Sequence, residues 1–316
     1  MNFGAQTTTD EVLDGVDLSG TQALVTGASA GLGQETARAL AAHGASVIMA
    51  ARDLDKGERA AAPVRAAATG GARIELRELD LASLESVRRF CDGVLADHDH
   101  LHLLVANAGV MAPPKGETVD GFETQFGTNH LGHFVLVNRL VPLLVAGAPS
   151  RIVNLSSGGH RFSDVDLDDP NFERQEYDAW VGYGRSKTAN VLFAVELDRR
   201  LRDQGVRACA VHPGMIHTEL ARHLTEESIN QLMAARGDRR IDAKEIPAGA
   251  ATSVWAGVVA DADAIGGHYC EDCAVSPVIA ERGGSPGVMA YAVDPDTASA
   301  LWARSEDLVG ERFPES

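Results

Sequence analysis

The sequence predicts a single α/β domain in which a doubly wound parallel sheet of about seven strands carries helices on both faces. Short apolar runs alternate with longer helical stretches, a glycine-rich turn follows the first apolar run, and no change in composition marks a second domain. The 316 residues, 45% of them hydrophobic, can bury one sizeable core without disulfides or a metal. We expect residues 1–17 to form an N-terminal extension and residues 18–316 to form the domain.

The first βαβ unit is predicted directly from the apolar pattern. The run Ala23-Leu24-Val25 is typical of a buried strand, an Ala-rich helix runs from Gly31 to about His43-Gly44, and a second strand covers 46–50. The same alternation predicts further strands at 73–79, 102–106, 151–155, 206–211 and 267–270, and further helices that begin near Asp53, Ser83, Gly121, Tyr183 and Pro295.

Three segments are candidate substrate walls: residues 158–182, 219–246 and 277–293. Loops at the carboxyl ends of parallel strands are where such sheets bind ligands. For the acidic segment 158–182, a solvated surface loop is the alternative. Helical spacing of apolar residues within 219–246 predicts a lid suited to a hydrophobic ketone or aldehyde, or a helix that simply packs on the domain. These residues are Leu220, Leu224, Ile229, Leu232 and Met233.

Composition excludes several classes of protein. A net charge of -17 argues against binding nucleic acid through a broad surface. No apolar run approaches the roughly 18 residues that a membrane span needs. The first ten residues lack the pattern of a secretory signal, and four cysteines are too unevenly spaced for a disulfide framework. We therefore expect a cytoplasmic protein with no membrane span.

The glycine-rich turn, residues 26–33, reads Thr-Gly-Ala-Ser-Ala-Gly-Leu-Gly and joins the first strand to the first helix. Gly27 permits a sharp turn, Gly31 leaves room for a pyrophosphate, and Gly33 lets the helix pack close to the sheet. The helix N-terminus then offers backbone N–H groups to the phosphates. This context predicts a dinucleotide-binding Rossmann fold.

Tyr183 and Lys187 stand four residues apart in a predicted helix, so their side chains share one face. A free tyrosine has a pKa of about 10, and a neighbouring ammonium lowers that pKa. The pair is therefore a candidate for proton transfer, although an isolated pair of this kind is more often an exposed Lys beside a half-buried Tyr.

Six motifs follow one another in the order that the short-chain dehydrogenase/reductase family uses. Besides the turn and the Tyr183/Lys187 pair, they include Asn107-Ala108-Gly109, Asn129, the Ser156-Ser157 pair and His212-Pro213-Gly214. The chain resembles this family from about Leu18 to His268. Segments 50–53, 128–134 and 151–157 are similar to its retinol-dehydrogenase and WW-domain-oxidoreductase-like branch.

The resemblance implies a catalytic group made of Asn129, Ser157, Tyr183 and Lys187. Tyr183 would be the general acid in carbonyl reduction and the general base in alcohol oxidation. Ser157, or its neighbour Ser156, would donate a hydrogen bond to the substrate oxygen. Lys187 would also hold the nicotinamide ribose, and Asn129 would fix a water that relays protons to Lys187.

The resemblance also implies how the cofactor is held. Asp80 and Leu81 match the adenine contact, Asn107 braces the sheet beside the adenosine ribose, and no proton transfer is assigned to His212 or His217. The full set of expected cofactor contacts is Gly27, Ser29, Ala30, Gly31, Leu32, Gly33, Arg52, Asp80, Leu81, Asn107, Ala108, Gly109, Tyr183, Lys187, Pro213, Gly214, Ile216 and Thr218.

Two neighbouring residues give opposite indications of cofactor choice. Asp53 lies twenty positions after Gly33, the offset at which a carboxylate accepts the ribose hydroxyls of NAD. The family's NAD-specific acid, however, aligns with Ala51, and Arg52 resembles the arginine that binds the 2′-phosphate of NADP. We therefore expect NADP(H) rather than NAD(H), with Asp53 as a helix N-cap.

The remaining expectations concern metals, assembly and other functions. Cys270 and Cys273 have the spacing of half a zinc site, but no second pair completes it, so we assign no metal. The family resemblance implies a homodimer or homotetramer built through the helices that carry Asn129 and Tyr183. Alternative functions are a non-catalytic dinucleotide sensor and a lyase, dehydratase or epimerase on the same scaffold.

Overall fold

The computed structural model describes residues 3–216, 243–281 and 286–313. Within these ranges the main sheet has eight strands in the order β3-β2-β1-β4-β5-β6-β7-β8. The strands are β1 (Gln22–Thr26), β2 (Ser46–Ala51), β3 (Ile74–Glu78), β4 (Leu103–Ala106), β5 (Ser150–Leu155), β6 (Val206–His212), β7 (Tyr269–Glu271) and β8 (Ala274–Val275). The order reverses between β1 and β4, so their carboxyl ends border the crevice in which such sheets bind ligands.

The first seven strands run parallel, as predicted, and β8 turns back to pair antiparallel with β7. Asp272 and Cys273 form the turn with φ of +53° and +57°, the conformation of a two-residue hairpin loop. The two residues of β8 were not predicted because so short a strand leaves no alternating pattern.

Helices cover both faces of the sheet, which confirms the doubly wound fold. One face carries α1 (Thr9–Val12), α2 (Gly31–Ala42), α3 (Leu54–Ala67) and α7 (Ile246–Val254), and the other carries α4 (Leu84–Asp97), α5 (Gly132–Ala146), α6 (Ala179–Leu201) and α9 (Pro295–Val309). A short α8 (Ala262–Ile265) precedes β7, and β9 (Val278–Ile279) pairs with β10 (Val288–Met289). Val12 and Leu13 are buried, so the N-terminal residues pack on the domain. None of the helices described is long and apolar enough to cross a membrane.

Two helices begin at other residues than the sequence pattern indicates. The helix predicted from Tyr183 begins at Ala179, because Asp178 accepts hydrogen bonds from the N–H groups of Trp180 and Val181. The helix predicted from Gly121 begins at Thr124 and passes into a π-helical segment, Phe126–Leu131, that continues into α5. The buried Glu123 carboxylate accepts the N–H groups of Gln125 at 2.9 Å and Phe126 at 2.7 Å, and so caps the start of this helix.

The C-terminal helix α9 covers the aromatic face shared by α5 and α6. The Trp302 ring lies 5.1 Å from Phe134 of α5 and 5.9 Å from Phe193 of α6, measured between centroids. Arg200 stacks over Trp302 at 4.1 Å. Ser305 of α9 also hydrogen-bonds His130 at 2.8 Å. The helix α9 therefore covers one face of the two helices through which we expect a dimer to form.

Candidate active site

The glycine-rich turn connects β1 with α2 in a conformation that requires its glycines. Gly27 and Gly31 have φ of +65° and +55°, which side-chain-bearing residues rarely adopt. A Cβ at Gly33 would lie 2.5 Å from the carbonyl oxygen of Gly27. Ala30, the N-cap of α2, offers no side-chain cap to the first N–H groups of the helix. The turn is therefore a cradle of backbone N–H groups that fits a pyrophosphate.

Thr26 and Asn107 join the ends of β1 and β4 beside this turn. The Thr26 hydroxyl oxygen accepts the N–H groups of Asn107 and Ala108, both at 2.9 Å. In return, the Asn107 amide donates to the carbonyl oxygen of Thr26 at 2.7 Å. Asn107 thus braces the two strands at the point where the strand order reverses, the position expected for a residue beside the adenosine ribose.

Asn129 lies in the π-helical segment and is buried. Its side-chain oxygen accepts the N–H of Val110 at 2.8 Å, and its amide donates to the Ser186 hydroxyl at 2.9 Å. A Cβ at Gly109 would lie 3.1 Å from Asn129 Oδ1 and 3.5 Å from Lys187 Nζ. Gly109 therefore leaves the space in which Asn129 and Lys187 approach each other.

Ser157, Tyr183 and Lys187 come together where β5 ends against α6. Ser157 Oγ and the Tyr183 ring lie side by side, because a Cβ at Gly159 would lie 3.4 Å from the oxygen and 2.5 Å from Cε1 of the ring. Lys187 Nζ donates to the carbonyl oxygen of Leu155 at 3.0 Å and lies 5.8 Å from the centre of the Tyr183 ring. Ser156 instead donates to the carbonyl oxygen of Lys187 at 2.8 Å. Ser157, rather than Ser156, is the serine that contacts the tyrosine.

Burial dominates the acid–base properties of this pair. Burial raises the pKa of Tyr183 to about 12, while its hydrogen bond with Ser157 acts in the opposite direction. Burial also lowers the pKa of Lys187 to about 8. We expected Lys187 to lower the pKa of Tyr183. Among the protein's own groups, burial has the larger effect and raises this pKa instead, so for these groups the expectation was wrong. Lys187 Nζ is directed to Leu155, and a phenolate is costly in a site that excludes water.

Gly159 explains how the tyrosine fits so closely beside Ser157. A Cβ at Gly159 would lie 2.5 Å from Cε1 of Tyr183, so any side chain there would displace the ring. Gly159 belongs to a 3₁₀ helix, Gly158–Phe162, that follows β5. No local pattern indicates this contact, since Gly158-Gly159 is typical only of a turn.

The candidate wall 158–182 is fastened to α6 rather than freely solvated. Buried Arg185 donates to the carbonyl oxygen of Asp169 at 3.0 Å and to Gln175 at 3.1 Å. Its guanidinium also lies 4.2 Å from the ring centre of Phe172. Arg185, which stands between Tyr183 and Lys187 in the sequence, was not predicted to have this role because its partners are distant along the chain.

The end of β2 presents the two residues that bear on cofactor choice. Arg52 directly follows the strand and is exposed. Asp53 is the N-cap of α3, and its side chain accepts the N–H of Lys56 at 2.9 Å. The N-cap prediction for Asp53 is thus confirmed. On the next strand, Asp80 accepts the N–H of Ala82 at 3.0 Å, and Leu81 packs against Gly132.

The segment after β6 borders the same crevice. His212 Nδ1 accepts the N–H groups of Gly158 at 3.2 Å and Gly214 at 3.3 Å, which is a structural role. Gly214, with φ of +93°, packs against the side chain of Lys244, and Lys244 Nζ donates to Asp272 at 2.6 Å. Pro213 and Ile216 follow β6 as expected. His217, Thr218 and the five apolar residues of the predicted lid lie outside the described residues.

The cysteines are buried free thiols. A hydrogen bond with Cys209, together with burial, raises the pKa of Cys270 far above its ordinary value. Within the described ranges, no three His, Cys, Asp or Glu side chains are grouped in a way that could hold a metal ion. Such thiols pack as small apolar side chains.

Comparisons with known proteins agree with this arrangement. Residues 21–229, which include the glycine-rich turn and the whole of α6, match the family model of the short chain dehydrogenases. Retinol dehydrogenase 11 from Mus musculus is 43% identical over 259 residues, 82% of this chain and 79% of that protein. A crystal structure of an uncharacterized protein from Mycobacterium Paratuberculosis is 38% identical, with a TM-score of 0.74 and coverage of 99% of this chain and 100% of that one. The Pseudomonas aeruginosa RhlG/NADP active-site complex is 25% identical, with a TM-score of 0.62 and coverage of 81% and 95%.

Proposed function

The chain belongs to the short chain dehydrogenase family, and from that premise we propose that it is an NADP(H)-dependent oxidoreductase interconverting a ketone or aldehyde and the corresponding alcohol. The observation that carries the proposal is the position of Ser157 Oγ beside the buried Tyr183 ring, with Lys187 one helical turn from Tyr183. A phenol and a hydroxyl so placed beside a dinucleotide cradle can bind one oxygen atom and move one proton.

The protein residues handle the proton and the oxygen, while a bound nicotinamide supplies or accepts the hydride. In reduction, Tyr183 donates its proton to the carbonyl oxygen, and in oxidation it takes the proton of the alcohol. Ser157 donates a hydrogen bond to the same oxygen, where negative charge develops. Lys187 holds the ribose, and Asn129 supports Lys187 from the π-helical segment. The raised pKa of Tyr183 keeps the phenol protonated near neutral pH, which is the form that a general acid requires.

Support for NADP(H) comes from the exposed Arg52 at the end of β2, because Asp53 is engaged as the α3 cap. A guanidinium there can pair with a 2′-phosphate in two hydrogen bonds. The similar P. aeruginosa structure is described as an NADP complex. The remaining cofactor contacts that we propose are those named from the sequence, from Gly27 to Thr218.

Support for a hydrophobic substrate comes from the side chains that pack around Tyr183. Ala112 and Trp180 form a small apolar cluster with Tyr183, and Met111 and Phe162 pack against it. An apolar wall beside the reacting hydroxyl favours a substrate whose carbonyl is its main polar group. Because the mouse relative is named for retinol, the aldehyde of retinol belongs in the first set of compounds to test.

The purified protein should oxidise NADPH, and NADH much less, when screened against hydrophobic ketones and aldehydes. Absorbance of the reduced nicotinamide measures turnover, and protein fluorescence measures binding separately. Turnover with NADH at least as fast as with NADPH would contradict the assignment of Arg52. NADPH binding without turnover of any carbonyl would favour the dinucleotide sensor, and a redox-neutral product would favour the lyase or epimerase.

We also propose that the protein forms a homodimer or homotetramer through the helices that carry Asn129 and Tyr183, on faces that α9 leaves uncovered. Sedimentation of the wild type tests whether it assembles, and a monomer would contradict the proposal. The expected cytoplasmic location stays a prediction, which fractionation of cells that express the protein would test.

A further inference from the structure

His133, in the second position of α5, is a buried histidine that the proposed chemistry does not use. Its Nδ1 lies 3.0 Å from the main-chain oxygen of Asn129, and its Nε2 lies 3.0 Å from the Thr26 hydroxyl. One imidazole therefore spans from the strand that enters the glycine-rich turn to a member of the catalytic group. Thr26 and His133 are 107 residues apart in the sequence.

The hydrogen-bond partners determine which nitrogen carries the proton. A carbonyl oxygen only accepts, so Nδ1 must donate its hydrogen to Asn129. The Thr26 oxygen already accepts two backbone N–H groups, so its own hydrogen is the one available to Nε2. Burial lowers the pKa of His133 to about 4, so the ring stays neutral and keeps this single tautomer at physiological pH.

We propose that His133 is a positioning residue that couples the cofactor cradle to Asn129 through its neutral Nδ1–H tautomer. On the Thr26 side it holds the hydroxyl that fixes Asn107 and Ala108. On the Asn129 side it fixes the main chain of the residue whose side chain contacts Ser186, next to Lys187. The effect of His133 on catalysis rests on the proposed function, whereas its effect on the cofactor cradle does not.

Two substitutions separate the hydrogen bond with Thr26 from the hydrogen bond with Asn129. His133→Asn keeps a donor near the Nδ1 position but does not reach Thr26, so we expect NADPH affinity to fall about 10-fold while kcat changes less than about 3-fold. His133→Gln keeps an acceptor near the Nε2 position but no donor to Asn129, so we expect the reverse: kcat falls about 10-fold and NADPH affinity stays within about 3-fold.

Asn138→Leu is the matched control, because Asn138 lies on the same helix and donates to the carbonyl four residues earlier, at 2.8 Å, as His133 does. It should lower the melting temperature without changing kcat or NADPH affinity per folded molecule. If both His133 variants behave as this control does, His133 is merely structural and the proposal fails.

The tautomer can be read in the wild-type protein, whether or not the variants fold. Nitrogen-15 NMR of the histidine rings should show a protonated Nδ1 and an accepting Nε2 for His133. A protonated Nε2 would overturn the proposal outright. If no carbonyl is turned over, the proposed function fails, while the tautomer and the NADPH affinities still decide the role of His133.

Discussion

The glycine-rich turn and the catalytic group lie beside each other but are built in opposite ways. The turn draws on eight consecutive residues, and its binding groups are backbone N–H groups that glycines expose. The catalytic group draws on Asn129, Ser157, Tyr183 and Lys187, from three separate parts of the chain, and its chemistry resides in side chains. Added volume should therefore disable the first region, and lost functional groups should disable the second.

The sharpest test of the catalytic region is Tyr183→Phe, which removes one hydroxyl and little volume. We expect kcat for carbonyl reduction to fall about 10²- to 10⁴-fold, the usual contribution of a general acid, with NADPH binding unchanged. Steady-state rates and fluorescence titration measure the two quantities. Tyr177→Phe removes the same group from a tyrosine that donates to the carbonyl oxygen of Pro113, and it should keep most of the activity. Equal rates in Tyr183→Phe and wild type would remove the mechanism.

Arg52→Ala tests the side-chain contact that we assign to the 2′-phosphate of the cofactor. The loss of a charge-assisted pair with the 2′-phosphate should weaken NADPH binding roughly 10-fold or more and leave NADH binding unchanged. Dissociation constants for both nucleotides, measured by fluorescence, decide it. Arg59→Ala, which removes an equal charge from an exposed position of α3, is the control. An equal loss of affinity for NADPH and NADH would mean that Arg52 does not bind the 2′-phosphate.

Gly33→Ala tests whether the turn depends on volume alone. The new methyl group would lie 2.5 Å from both the Gly27 oxygen and Asn107 Nδ2, so either the turn or the helix must shift. Overpacking of this kind costs about 1–3 kcal/mol, and we expect a lower melting temperature and roughly 10-fold weaker NADPH binding. Gly4→Ala adds the same methyl group where no atom lies within 4 Å and should change neither. Normal NADPH affinity in Gly33→Ala would show that the turn tolerates side chains.

The same contrast explains which features the sequence could predict. Gly27, Gly33 and the Asp53 cap were predictable because their roles depend on residues within a few positions. The start of α6 at Ala179 was missed because Tyr183 marks the chemistry rather than the helix cap, which is Asp178. The helix start at Thr124 depends on the buried Glu123 carboxylate, and the role of His133 depends on Thr26. Such features need the fold, since no local pattern records them.

The covering of α5 and α6 by α9 is a further feature of this kind. In the sequence, Trp302 and Ser305 belong to a pattern that is typical of any amphipathic helix. Their contacts with Phe134 and His130 appear only when the chain is folded. The family resemblance implied assembly through α5 and α6, but it did not predict that α9 covers one face of these helices.

The smallest expected effect is the pH dependence, and it separates the two regions without a mutation. Burial lowers the pKa of Lys187 from 10.5 to about 8, so its charged form is present below that pH and is lost above it. At about pH 9 roughly a tenth of the Lys187 side chains would remain charged, and kcat for reduction should fall in proportion. Tyr183, with a pKa of about 12, does not titrate in this range.

The glycine-rich turn has no group that titrates there, because backbone N–H groups keep their polarity at any pH between about 6 and 9. A neutral Lys187 amine can still donate a hydrogen bond to the ribose, so NADPH affinity should change much less than kcat over this range. Lys187→Arg supplies the control, since a guanidinium stays charged and should flatten the fall in kcat even if the absolute rate drops. Rate measurements and fluorescence titrations in the same buffers give both curves. A kcat that stays level in the wild type, or an affinity that falls with it, would mean that Lys187 does not act through its charge.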